Sequence, residues 1–105
     1  MKSQKENKAF KDLKKNSEDV ASILKQLSHP QRLLILCRLI DGKKSVREIE
    51  LGCGASQSSV SQFLKGMRLE GLVDSERDGK HVYYYIADKR VLDLVHSLYL
   101  IFCKS

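Results

Sequence analysis

From Asn16 onward the chain settles into an i, i+3, i+4, i+7 spacing of apolar residues, Val20, Ile23, Leu24 and Leu27, which predicts an amphipathic helix with one buried face. Asn16, Ser17, Glu18 and Asp19 suit its N-terminus, where side-chain acceptors and negative charge meet free backbone N–H groups. A thinner stripe, Phe10 and Leu13, marks a preceding helix over Lys8 to Lys15. Ser28-His29-Pro30 breaks the pattern and restarts it, because Pro fits a first helical turn whose N–H has no partner anyway. Leu33, Leu36, Cys37 and Ile40 then form the buried face of the next helix, which Gly42 ends. Cys37 therefore sits among leucines, where a free thiol packs as a small hydrophobe.

Ser45 to Leu51 reads as a short helix with Val46, Ile49 and Leu51 inward, followed by the turn Gly52-Cys53-Gly54-Ala55. Ser56 is the N-cap of a longer helix ending near Glu70-Gly71, in which Val60, Phe63, Leu64 and Met67 form the apolar stripe. Its other side carries Ser58, Ser61, Gln62 and Lys65, small and uncharged up to the lysine. Two helices about a Gly-containing turn, the second with such a face, form a helix-turn-helix pattern. Leu72 to Glu76 and His81 to Ile86 follow as strands around Arg77-Asp78-Gly79-Lys80, where Asp-Gly signals a tight hairpin. A last helix, N-capped by Asp88, carries Val91, Leu92, Leu94, Val95, Leu98, Tyr99, Ile101 and Phe102, a band too wide for one small core. The fold class is thus mainly α with a small β-hairpin, a winged helix-turn-helix whose surplus apolar surface predicts a homodimer through the N- and C-terminal helices.

Composition narrows the options. At 105 residues the chain holds one modest core. Residues 1–15 read as a basic, partly helical N-terminal segment and 16–105 as the winged helix-turn-helix DNA-binding and dimerisation domain. No secretory signal and no run near the ~18 apolar residues of a membrane span is present, so a cytoplasmic protein without membrane contact is expected. Three widely spaced cysteines, Cys37, Cys53 and Cys103, argue against a structural disulfide framework. No nucleophile-base pair, phosphate loop or cofactor motif is apparent, so neither an enzyme nor a cofactor is expected.

The formal charge of +6 favours an anionic partner, but its distribution matters more. Residues 1–15 hold six lysines against two acids, net +4, whereas residues 56–90 hold six basic residues against five acids, net +1. The nucleic-acid reading therefore rests on the polar face. A merely solvated helix side would carry Glu and Lys; Gln57, Ser58, Ser59, Ser61 and Gln62 instead suit hydrogen bonding to base edges, glutamine pairing with adenine. Arg32, Lys65, Arg68, Arg77 and Lys80 are candidates for phosphate contacts on double-stranded operator DNA. Tyr83, Tyr84 and Tyr85 read as packing of the wing, and Cys53 as an ordinary turn residue, the alternative being an exposed thiol beside the DNA face that is modified independently.

The segments Ser28-His29-Pro30-Gln31-Arg32-Leu33, Ser45-Val46-Arg47-Glu48-Ile49, Ser56 to Leu64, Gly71-Leu72-Val73 and Gly79 to Tyr84 resemble the ArsR/SmtB family of dimeric bacterial repressors. That resemblance implies two familiar metal sites that this chain does not complete. Ser45 and Arg47 stand where the thiolate site needs Cys-x-Cys, and Arg90, Ile101 and Lys104 stand beside Asp88 where the C-terminal zinc site needs ligands. The surroundings of Cys37 and Cys103, Ile35 to Leu39 and Leu98 to Cys103, look like the dithiol sensors of the BigR, SqrR and HlyU type. By that likeness Cys37 and Cys103 are a redox-sensing pair answering reactive sulfur species or oxidants, and the chain is a repressor that releases its operator when they react. Two alternatives stay open: a metal-responsive repressor using Cys37, Cys103 and His96, and a module that binds protein rather than DNA.

Overall fold

A computed structural model describes residues 7–103; residues 1–6 of the basic segment, and Lys104, lie outside the described residues. Its helices are α1 (Lys8–Lys15), α2 (Ser17–Leu27), α3 (Pro30–Arg38), α4 (Val46–Leu51), α5 (Gln57–Leu69) and α6 (Lys89–Phe102). Its strands are β1 (Lys44–Ser45), β2 (Val73–Asp78) and β3 (His81–Ile86), in the antiparallel order β1-β3-β2. The capping residues explain several of the starts. Asn7 accepts from Phe10 N–H, His29 from Gln31 N–H, Ser56 from Ser59 N–H and Asp88 from Arg90 N–H, each relieving a backbone donor with no helical partner. Ser45 and Glu48 form a reciprocal capping box on α4.

The core gathers Ile35, Leu36 and Leu39 from α3 and its end, Ile49 from α4, Val60, Leu64 and Met67 from α5, Val73 from β2, and Val91 and Val95 from α6. Ile35 and Leu39 replace Leu33, Cys37 and Ile40 as its fully buried members; the latter three pack at its edge. The cause is that α3 stops at Arg38, so the stripe cannot be continued to Ile40 at helical pitch. Leu51 points outward at 77% exposure, since α4 ends there and its last side chain leaves the helix bundle. Cys53 lies in the turn as read but is buried in the core, which removes the alternative of an exposed thiol.

The hairpin is tighter than its Asp-Gly signal implies. Asp78 pairs with His81, leaving Gly79-Lys80 as the loop. Gly79 takes φ +66 while no non-glycine residue has positive φ, which is the arrangement with Gly at the first of two loop positions. β1 had no sequence signal of its own; its two residues join the sheet only because Tyr83 and Tyr84 offer a free edge. This ties the start of α4 to the wing.

Much of the apolar periodicity is left uncovered. Of the predicted α2 stripe only Leu27 is buried, whereas Val20 and Leu24 are exposed; α1 buries nothing. Tyr99, Leu100, Ile101 and Phe102 at the end of α6 are exposed as well.

Gly52, after α4, lies beneath the Arg38 side chain, so that a Cβ there would stand 2.7 Å from Arg38 Nε and 2.8 Å from its Cδ. Its φ of −106 would itself accept alanine. Gly52→Ala should therefore destabilise the fold by about 1–3 kcal/mol, the usual cost of overpacking. Urea unfolding measures this, and Gly52→Ala added to Arg38→Ala should cost nothing further; an unchanged midpoint in Gly52→Ala would refute the contact.

Candidate functional site

The helix-turn-helix places α5 across the front of the molecule, with Val60, Leu64 and Met67 turned into the core. That leaves Ser58, Ser61, Gln62 and Lys65 together on its outer side, along a shallow groove that continues to Gly66 and Leu69. Gln57 and Ser59 are exposed in the first turn, although Ser59 is also engaged by the cap, its Oγ lying 3.2 Å from that of Ser56. Arg77 and Lys80 are exposed on the hairpin, away from this groove.

The other two candidate phosphate contacts are held by carboxylates. Arg68 Nε lies 3.2 Å from Asp74 Oδ1, an exposed pair of small energetic weight that DNA can replace. Arg32 is more deeply committed: it donates to Glu70 Oε1 at 2.8 Å and to the Gln26 carbonyl at 3.3 Å, clasping α2, α3 and the end of α5. Its geometry is that of a brace behind the reading helix.

The second candidate site lies between α3 and α6. Cys37, in its last turn, and Cys103, at the C-cap of α6, line one apolar groove of about 270 Å³ with Leu33, Leu98, Tyr99 and Phe102. Cys37 is half-buried and Cys103 exposed. Burial pushes the Cys37 thiol above its ordinary pKa, and the negative charge that Cys103 and Cys53 carry when ionised pushes it further. Burial likewise raises Cys53, against the opposing pull of Arg38. Cys37 is thereby held as the protonated thiol at neutral pH, a state of low nucleophilicity.

Cys37 also borders a second hollow, of about 390 Å³, lined by Arg38, Asp41, Gly52, His96 and Tyr99. Arg38 Nη2 donates to the Glu48 carbonyl at 2.8 Å, while its Nε is buried without a partner. Asp41 is bound to Lys44 at 2.7 Å, which holds its carboxyl below the usual range. His96 thus lies in a different hollow from Cys103. Among the described residues no three His, Cys, Asp or Glu side chains gather to hold a metal ion, and the Cys37, Cys103 and His96 alternative has no ligand set within one subunit. Arg38 and Gly52 went unnoticed in the sequence, where an arginine closing a helix and a glycine in a turn carry no distinguishing signal. Among the described residues no helix is long and apolar enough to cross a membrane.

Comparison with known proteins agrees with this architecture. Residues 29–75 match the family model described as bacterial regulatory protein, arsR family. The chain is 40% identical over 92 residues to a biofilm growth-associated repressor of Xylella fastidiosa, covering 88% of this chain and 81% of that protein. The crystal structure of the transcriptional repressor BigR from Xylella fastidiosa superposes with a TM-score of 0.81 at 39% identity, over 90% of this chain and 97% of the other. A homodimeric winged helix-turn-helix DNA-binding domain from Mycobacterium bovis superposes with a TM-score of 0.70 at 32% identity, over 86% of this chain and 84% of the other. With the helix-turn-helix, the wing and the flanking helices all matched at this level of identity, the chain belongs to the ArsR family of bacterial regulatory proteins.

Proposed function

We propose that the protein is a homodimeric transcriptional repressor that reads a two-fold-symmetric operator with paired α5 helices and releases it when Cys37 and Cys103 react with reactive sulfur species or oxidants. The observation that carries the sensing part is the shared apolar groove: two cysteines 66 positions apart in the chain line one hollow between α3 and α6. The serine and glutamine face of α5, the basic wing residues and the names of the relatives support the DNA-binding part. The uncovered band on α1, α2 and α6, with the homodimeric relative, supports the dimer. Mechanistically, joining the two sulfurs ties α3 to α6. Because α3 also bears Arg38, bonded to α4, the tie is transmitted to the helix-turn-helix.

A bridge that disfavours the DNA-bound state by about 1–3 kcal/mol weakens operator binding roughly 5- to 150-fold. Operator titration before and after persulfide treatment, with mass spectrometry of the product, tests the scheme. Wild type should lose affinity while Cys37→Ser and Cys103→Ser do not; variants that respond like wild type would overturn the dithiol. Binding that shows neither salt dependence nor preference for its own promoter would favour a protein-interaction module instead.

A further inference from the structure

We infer that Arg32 is a positioning residue for operator reading: with Glu70 it fixes the angle of α5 against α2, a helix of the proposed dimer face, and so sets the distance between the two reading helices. This rests on the reading of the protein as a dimeric operator binder.

Three observations carry it. The first turn of α3 grips one flank of α5. The His29 ring packs on Phe63 with centroids 4.8 Å apart, and Arg32 crosses Gly66, where a Cβ would stand 3.4 Å from Nη2, to reach Glu70. Phe63, Gly66 and Glu70 follow i, i+3, i+7 and so share one side of the helix, apart from the outer face that carries Ser58, Gln62 and Lys65.

A single nitrogen then joins two helices. Arg32 Nη1 donates to Glu70 Oε1 at 2.8 Å and to the Gln26 carbonyl at 3.3 Å. Gln26 lies in the last turn of α2, where unpaired carbonyls and the negative helix end both favour a cation. The same helix carries Val20 and Leu24 of the uncovered band. Contacts thus run without a break from the proposed dimer face to the end of the reading helix.

Glu70, finally, is misplaced without Arg32. It is the C-cap of α5, where the helix dipole disfavours a carboxylate, and it ends the helix proposed to meet DNA, whose phosphates repel it. Electrostatics alone makes Glu70→Ala a tighter DNA binder, whereas the brace makes it a weaker one.

The test measures the affinity of the full-length protein for the operator of its own promoter, and for that operator with one base pair inserted between the half-sites, over a range of salt. The insertion moves the half-sites about 3.4 Å apart and turns them by about 35°, so wild type should prefer the native spacing. Glu70→Ala, and Arg32→Met, which keeps an unbranched apolar stem, should each lose at least about fivefold on the native operator. The double variant should lose no more than either, since both break one tie, and all three should discriminate less between the spacings than wild type. The salt slope should not change. Glu70→Ala binding the native operator as well as wild type or better would overturn the brace. So would an equal loss on both operators, the mark of a smaller folded fraction, or a salt slope lowered by about one in Arg32→Met, the mark of a phosphate contact. Wild type indifferent to spacing would overturn the dimeric operator reading itself, and the brace with it.

Discussion

Leu24→Glu combined with Ile101→Glu is expected to yield a folded monomer whose operator affinity is lower by at least about 10³-fold, the lower end of the gap between specific and nonspecific DNA binding. Leu24 and Ile101 are 49% and 64% exposed in one chain, so neither substitution opens a cavity, and glutamate suits a helix position as well as most residues. In a dimer both would place charge in an apolar contact, which is costly without a partner. A monomer holds one reading helix and engages half a symmetric site, losing the gain of simultaneous attachment. Sedimentation should report the halved mass, circular dichroism the retained helices and operator titration the lost affinity. A double variant that stays dimeric and binds as wild type would remove the assignment of this band to the interface.

That same band shows why sequence patterning carried the architecture further than the burial. The spacing of Val20, Ile23, Leu24 and Leu27 correctly marks a helix, but periodicity cannot distinguish a stripe facing its own core from one facing a second subunit. Of that stripe Leu27 is buried and Leu24 is not. Ile35 illustrates a different limit: with Leu33, Leu34, Ile35 and Leu36 in succession, the inward direction is set by where Pro30 starts the helix and Arg38 ends it. Side-chain caps and the glycine turn were legible because each is a local requirement, as at Ser45, Ser56 and Asp88. β1 was not, since two residues pair through the partner's edge rather than through any preference of their own.

For the candidate sites the division is similar. The outer face of α5 could be read from helical spacing because all four of its groove-lining polar residues lie on one element. Arg32 could not be sorted from the free basic residues, because its partner Glu70 is 38 positions away. The pairing of Cys37 with Cys103 came from family likeness; the common groove now gives it a physical setting. Cys53, a turn residue in the sequence reading, is a core residue, and its burial takes it out of reach of direct modification in the folded state.

Ser61→Glu should abolish sequence-specific binding while leaving the fold intact. Ser61 lies on the exposed side of α5 between Ser58 and Lys65, and glutamate is the better helix former, so the unfolding midpoint should hold or rise slightly. On the proposed reading this position faces the major groove, where a carboxylate adds like-charge repulsion of several kcal/mol, a loss of at least about 10²-fold. The companion change Gln62→Ala removes hydrogen bonds without adding repulsion; it should cost about 1–3 kcal/mol and relax the preference at one base pair only. Lys80→Ala on the wing should weaken binding alike for all sequences and lower the salt slope by about one. The three variants thus separate charge repulsion, base reading and phosphate attraction. Operator affinity in Ser61→Glu equal to wild type would mean that this face of α5 does not meet DNA, and the reading surface would then have to be sought on the wing.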